Sequence, residues 1–489
     1  LDRIGAALAH RFLAHAEADV NSAAGSGRFD RTEHVLVIGL GRSGRTSVEV
    51  LRSRVGSIAA TDDAPAASLA EPLAELAAYG VPFIAPDALD AQLAQFTVAV
   101  LSPGIPLVAP IVRRVQAAGV PVFSEVEVAY RICKAPIVAV TGTKGKSTTT
   151  ALIGALFAAA GKTVHVGGNI GNALIGETAI AQVDDWVIAE VSSFQLESIR
   201  SFKPRISLIT NITPDHLDRY PSMEEYVEAK FRIFANQGPH DTFVGNLDDE
   251  LIRDAPGEEG NRVKAQTRWF GYEPHRLTSL YLRRGATIMY APPTGDPRSV
   301  EVMPVSEIPL VGRHNVENVM GALLVALSAG LPIDAIREGV RTFRPLHHRL
   351  ETVAEIDGIT YVDDSKATNP GAVIAAMRAF ERPIVLIAGG KTKGTDFAEL
   401  GRVLSSNAKG VVLIGEAADE IAAVVKRARV ERAGSMAEAV AAARAIAESG
   451  DVVLLSPGCA SFDMFRSAEH RGEMFADAVR ALETVAHAG

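Results

Sequence analysis

The stretch Ile137-Val138-Ala139-Val140-Thr141-Gly142-Thr143-Lys144-Gly145-Lys146-Ser147-Thr148 decides the reading of this chain. Its short apolar run predicts a strand buried on both faces. The glycines predict a tight turn, and the residues from Thr148 to Ala160 predict a helix. Strand, glycine turn and helix in that order make a phosphate cradle, because backbone N–H groups converge and the helix N-terminus favours an anion. In such a loop Lys146 would place a point charge at the β- and γ-phosphates, and the Ser147 hydroxyl would ligate Mg²⁺. Two residues separate Gly142 from Gly145, where the common P-loop has four. The competing reading is a surface Gly/Lys turn.

Working outward, the same rhythm recurs. Val35–Ile38 runs into Gly39-Leu40-Gly41-Arg42-Ser43-Gly44 and then a helix. Asp62 ends the next strand, about 20 residues on, where a ribose-binding carboxylate belongs. Ser102-Pro103-Gly104-Ile105 follows the strand Val98–Leu101 and is placed to close the same crevice. Any nucleotide diphosphate has the pyrophosphate geometry this loop accepts; a turn with no ligand is the alternative. Downstream, Val187–Ala189 ends at Glu190, and Ile206–Ile209 leads to Asn211-Ile212-Thr213-Pro214-Asp215-His216. In a parallel sheet both ends face the crevice that holds the P-loop. Glu190 and His216 suit a divalent metal bridging phosphates, although an acid at a strand end also caps helices and a histidine is often only hydrogen-bonded. Lys230 lies in the predicted helix Met223–Phe234 and by residue type reads as solvated, no different from Arg232.

The last third repeats the pattern at Ile384–Ala388, Val411–Ile414 and Val452–Leu455. His347-His348-Arg349 opens it. Three polar loops then follow strands: Asp363-Asp364-Ser365-Lys366-Ala367-Thr368-Asn369, Gly389-Gly390-Lys391-Thr392-Lys393-Gly394 and Ser456-Pro457-Gly458-Cys459-Ala460-Ser461-Phe462-Asp463. They are expected to converge on one face, with Lys366, Lys393 and Arg349 as a positive cluster for a carboxylate or phosphate.

Alternation of strand and helix throughout predicts an α/β protein with doubly wound parallel sheets. At roughly 150 residues per domain, 489 residues predict three domains. Residues 1–34 read as an appendage with a connector at 22–27 and no signal-peptide core. Residues 35–130 read as a Rossmann-like domain, 131–345 as a central P-loop domain and 346–489 as a second Rossmann-like domain. Arg344-Pro345-Leu346 is the expected hinge. Arg262–Val305 alternates and is expected to add antiparallel strands, with a turn at Pro292–Pro297. The formal net charge of −9 argues against nucleic acid or an anionic membrane as a partner. The most apolar stretch, Phe96–Val112, is broken by prolines, so no spanning helix is expected. Two cysteines, Cys133 and Cys459, allow no disulfide framework, which suits a reducing cytoplasm.

Taken together, these motifs resemble the Mur ligase family from about residue 35 to 485. Besides the loops above, Gly167-Gly168-Asn169-Ile170-Gly171, Glu190-Val191-Ser192-Ser193-Phe194-Gln195-Leu196, Asp215-His216-Leu217-Asp218-Arg219-Tyr220 and His314-Asn315-Val316-Glu317-Asn318 carry the resemblance. It implies a monomeric cytoplasmic enzyme of peptidoglycan precursor synthesis that uses ATP to join D-glutamate to UDP-N-acetylmuramoyl-L-alanine through an acyl phosphate. It implies that Arg42, Ser43, Asp62, Asp63 and Gly104 hold UDP and not NAD. Asn169, Ser193, Gln195 and His216 would face the nucleotide-sugar or its metal. Gly142, Thr143, Lys144, Gly145, Lys146, Ser147 and Thr148 would bind ATP and Mg²⁺, with Glu190, His216 and a carbamylated Lys230 at a second metal. Asn315, Asn318, Arg349 and Asp364 would line the ATP pocket. His348, Lys366, Thr368, Lys393, Ser461 and Phe462 would hold substrate, the glutamate above all. Lys144, Lys391 and Ala468 depart from the family pattern.

Three other readings compete. A dinucleotide oxidoreductase built on residues 35–125 leaves the P-loop unused. A folylpolyglutamate synthase-like ligase leaves the first glycine loop unused. A P-loop binding protein would hydrolyse or bind ATP without needing an amino acid.

Overall fold

The computed structural model describes residues 29–215, 219–256, 262–292, 299–310, 312–344, 347–380, 382–392 and 396–486. The expected appendage up to residue 28, the turn after Pro292, the hinge at Pro345, and the side chains of His216 and Lys393 therefore lie outside the described residues.

Three sheets organise the chain. The first contains β1 (His34–Ile38), β2 (Ser57–Thr61), β3 (Val98–Leu101) and β4 (Val122–Ser124). Its order is β2-β1-β3-β4, all parallel. The second holds β5 (Ile137–Thr141), β6 (Val164–Gly168), β7 (Trp186–Glu190), β8 (Ile206–Ile209), β9 (Thr242–Asn246) and β10 (Gln266–Gly271). It continues with β11 (Thr278–Arg283), β12 (Thr287–Tyr290) and β13 (Val300–Pro304). The order is β13-β12-β11-β10-β9-β8-β5-β7-β6. Pairing turns antiparallel from β11 to β13, as the alternating residues predict.

The third sheet has β14 (Glu351–Ile356), β15 (Ile359–Asp363), β16 (Ile384–Gly389), β17 (Ala408–Ile414), β18 (Arg429–Arg432) and β19 (Val452–Leu455). Its order is β14-β15-β19-β16-β17-β18, with only the β14–β15 pair antiparallel. Central strands β5, β8, β16 and β19 are buried along their whole length. That is why their sequences are continuous apolar runs: helices cover both faces of a parallel sheet.

The chain forms two compact units. One contains the first two sheets, through residue 307 and again over 317–342; the other contains the third sheet, over 343–489 with 308–316. Within the first unit the chain passes between its two sheets through the helix Glu125–Ile132. Glu127 on that helix is buried and accepts backbone N–H bonds from Arg200 (2.8 Å), Ser201 (2.9 Å) and Phe202 (2.8 Å), and a guanidinium bond from Arg131 (2.8 Å). Burial alone would raise its pKa, but these bonds together hold it below the usual carboxylate range. No described helix is long and apolar enough to cross a membrane.

Candidate active site

The first glycine loop has a steric reason for two of its glycines. Gly39 has φ +93°, and a Cβ there would fall 2.6 Å from Ile105 Cδ1 and 2.9 Å from Ser102 Cβ. A Cβ on Gly44 would overlap the Gly39 carbonyl oxygen at 1.8 Å. Thus residues 102–105 do pack on this loop. Gly104 itself faces open space, so nothing local demands glycine there. Arg42 and Ser43 begin the helix Arg42–Leu51. Both Asp62 oxygens are engaged locally, accepting from Leu40 N (2.6 Å) and Ala64 N (2.8 Å). Asp62 thus shapes the loop that the sequence reading gave it to serve, and Asp63 beside it is exposed.

The second glycine loop is held by the end of β8. Thr210 Oγ donates to the Lys144 carbonyl (2.7 Å), and Asn211 brackets Lys144 by accepting from its N–H (2.9 Å) and donating to its carbonyl (2.9 Å). Thr143 donates its N–H to the Asn211 carbonyl (2.8 Å), while its Oγ accepts from Thr213 N (3.0 Å) and lies 3.1 Å from the Tyr226 hydroxyl. A Cβ on Gly142 would meet Thr210 Oγ at 2.0 Å, and one on Gly145 would meet Asn318 Oδ1 at 2.1 Å. Gly145 also has φ +80° and sits at the helix N-cap, which lets the helix begin at Lys146, two residues before the expected Thr148. Ser147 and Thr148 occupy its first turn. Asn315 and Asn318, one turn apart on the helix Arg313–Ser328, are both buried.

Two amines converge on one carbonyl. Lys146 Nζ donates to Gly142 O (3.0 Å) and Thr143 O (3.0 Å), and Lys230 Nζ donates to the same Gly142 O (2.7 Å). Lys230 is only 2% exposed and lies 4.4 Å over the Tyr226 ring, which overturns its reading as a solvated helix lysine. Burial, then repulsion from Lys146, pushes its pKa well down; Asp215 opposes the shift. Asp215, Tyr226, Thr210 and Asn211 escaped selection in the sequence, although Asp215 and Asn211 stand in the segment that ends at His216. For Thr210, Asn211 and Asp215 the signal was the strand end before them; Tyr226, inside the helix Met223–Phe231, carried none.

Glu190 ends β7 beside the P-loop, with Val140 its register partner on β5. It is 1% exposed; one oxygen accepts from Asn169 Nδ2 (2.8 Å), and Oε2 is buried without a hydrogen-bond partner among the described residues. A buried carboxylate oxygen with no donor is what a hard cation would complete. Ser193 and Gln195 are also buried, but Gln195 Oε1 accepts from Ser192 N (2.9 Å) in a capping box. That carbonyl therefore builds the helix start.

In the second unit the three strand-end loops do converge. Ser456 Oγ donates to Asp364 Oδ2 (2.8 Å), and Lys391 and Ala460 exchange backbone bonds (2.8 and 3.2 Å). Asp364 is pushed up to about 7 by burial, against the Ser456 bond and the attraction of Arg349. His348 has φ +63°, and its Nδ1 lies 2.6 Å from Asp363 Oδ2. Lys366 is paired with Glu469, whose pKa falls to about 2 through that bond, so the expected cluster of free positive charge is partly neutralised. Ser461 is buried, Thr368 is exposed, and Phe462 stands 69% exposed.

Comparisons with known proteins fit this geometry. Three family models match: Mur ligase MurD-like, N-terminal domain over residues 33–124; Mur ligase middle domain over 140–326; and Mur ligase, glutamate ligase domain over 348–459. The UDP-N-acetylmuramoylalanine–D-glutamate ligase of Koribacter versatilis is 40% identical over 452 residues, spanning 92% of this chain and 98% of that relative. The protein of the same name from Pelotomaculum thermopropionicum is 41% identical over 459 residues, again spanning 92% and 98%. Among solved structures, the UDP-N-acetylmuramate–alanine ligase MurC of Thermotoga maritima matches with a TM-score of 0.56 at 19% identity, covering 92% of this chain and 100% of that one. A MurF ligase of the same organism in complex with ADP matches at 0.55 and 16% identity, covering 93% and 98%. At those identities the likeness is one of fold.

Proposed function

Since this chain belongs to the Mur ligase family, we propose that it joins D-glutamate to UDP-N-acetylmuramoyl-L-alanine in an ATP-driven step of cytoplasmic peptidoglycan precursor synthesis. The observation that carries the reading is the convergence of Lys146 and Lys230 on the Gly142 carbonyl, beside a buried Glu190 whose second oxygen has no donor among the described residues. Neither an oxidoreductase nor a plain nucleotide switch has a use for that set together with the amino-acid loops of the second unit.

The chemistry follows from the leaving group. A carboxylate does not react with an amine, because oxide would have to leave. Transfer of the γ-phosphoryl group to a carboxylate oxygen of the alanyl residue gives an acyl phosphate and ADP. The glutamate amine attacks the acyl carbon, the C–O bond to phosphate breaks, and amide, phosphate and a proton result. Lys146 leaves the loop carbonyls and follows the β- and γ-phosphates, offsetting charge during transfer. Ser147 and Glu190 would hold Mg²⁺ through oxygen, with His216 and a carbamylated Lys230 as further candidates, and the ion would neutralise phosphate charge. Burial and the neighbouring Lys146 favour the neutral form of the Lys230 amine, the form that can attack CO₂, giving a carbamate and a proton and turning a cationic position into a carboxylate. Arg42, Ser43 and the N-terminus of their helix receive the UDP diphosphate. Asn318 borders the nucleotide loop; Asn315, Arg349 and Asp364 are the further candidates for ATP binding. Lys366, Thr368, Lys393, Ser461 and Phe462 receive glutamate, and His348, held by Asp363, is the further substrate candidate.

The test is phosphate release from Mg-ATP with UDP-N-acetylmuramoyl-L-alanine, supplying D-glutamate, L-glutamate or D-lysine in turn, with mass detection of product. Turnover with D-glutamate alone is expected. Turnover with another amino acid would keep the mechanism and overturn the pocket; ATP binding with no amino-acid dependence would overturn the ligase reading.

A further inference from the structure

The largest fully buried side chain described is a cation, Arg471, at 0% exposure on the helix Ala468–Ala486. Its hydrogen bonds go to neutral oxygens: Nε–H to Ser365 Oγ (3.0 Å), Nη2–H to Ser365 O (2.8 Å) and Nη1–H to Cys459 O (3.1 Å). Burying a guanidinium on such partners is unfavourable unless its planar fork does something an apolar side chain would not. What it does here is join loops. Ser365 follows β15 and Cys459 follows β19, its parallel neighbour. Gly390, which follows β16, passes so close that a Cβ on it would lie 3.2 Å from Arg471 Nη1. One side chain thus bonds two strand-end loops and leaves no room for a side chain at Gly390 on the third without a tight contact.

The same helix turn adds two more ties. Ser365 Oγ donates to the Ala468 carbonyl (2.6 Å), and Glu469 pairs with Lys366. We infer that Arg471 is a positioning residue that fixes the amino-acid pocket, holding the loops of Lys366 and Ser461 at the spacing that an amino-acid substrate requires. This rests on the activity proposed above. Burial lowers the Arg471 pKa to about 10, so the fork stays charged at neutral pH.

The experiment is Arg471→Lys in the full chain, read two ways. Lysine keeps the charge but cannot bridge three acceptors in a plane. Hydrogen exchange is expected to quicken in 364–369 and 456–461 and to stay unchanged in the P-loop at 141–148. The KM for D-glutamate is expected to rise about tenfold or more, with kcat and the affinity for UDP-N-acetylmuramoyl-L-alanine little changed. Unchanged exchange in both loops, or a fall in thermal stability with the glutamate KM intact, would overturn the inference. Ser365→Ala removes one acceptor and spares the guanidinium; it is expected to raise the glutamate KM about threefold, and no rise would count against the inference even if the lysine variant fails to fold. If the wild-type chain shows no D-glutamate turnover, the proposed activity is what fails; the exchange rates still decide whether Arg471 holds the loops.

Discussion

At the scale of single residues, Lys230 is the most informative. An ammonium at 2% exposure with Lys146 as neighbour is held there against its solvation. Its folded pKa lies below the unfolded value, so the folded chain binds fewer protons in between, and stability rises with pH across that window up to about 10.4. Lys230→Met is expected to flatten that rise, to leave the melting temperature at neutral pH undiminished, and to lower turnover by about 100-fold or more. A melting temperature that drops sharply while turnover survives would assign Lys230 to the core alone. Gly145→Ala tests the loop from another side. A Cβ at φ +80° costs about 1 kcal/mol and must displace Asn318. Calorimetry is expected to show ATP affinity reduced about tenfold or more. Unchanged affinity would mean the loop does not seat the nucleotide.

At the scale of elements, the helix Glu125–Ile132 decides how the two sheets of the first unit join. Glu127 is depressed in the folded state, so its contribution is present above the unfolded carboxylate pKa and is lost as pH falls through the folded one. Glu127→Gln is expected to cost about 3 kcal/mol at pH 7, because Arg131 loses its buried partner. Urea midpoints should converge with the wild type in acid; a constant gap at every pH would assign the loss to packing.

Strands and glycine turns were legible in the sequence because their signals are local. Val452–Leu455 and Ile206–Ile209 fall where the apolar runs begin and end. Glu127, Lys230 and Arg471 were not legible, since each takes its meaning from partners far along the chain. Arg471 reads as an ordinary helix arginine until Ser365, 106 residues away, is brought to it. Gln195 shows the opposite case: its carbonyl partner is Ser192, three residues away, so its part in the helix cap is local.

At the scale of the whole molecule, the two units divide the labour. The first holds both glycine loops with Lys146, Lys230 and Glu190, and the second holds the three strand-end loops tied by Arg471. The central claim is that ATP activates a carboxylate and does not merely gate a conformational change. The decisive measurement labels the alanyl carboxylate of UDP-N-acetylmuramoyl-L-alanine with ¹⁸O and analyses released phosphate by mass spectrometry during turnover with D-glutamate. An acyl phosphate requires one labelled oxygen to leave with each phosphate, because the bond that breaks is the one between the acyl carbon and that oxygen. Label appearing in phosphate in step with amide formation is the predicted result. Amide forming while the phosphate stays unlabelled would contradict it.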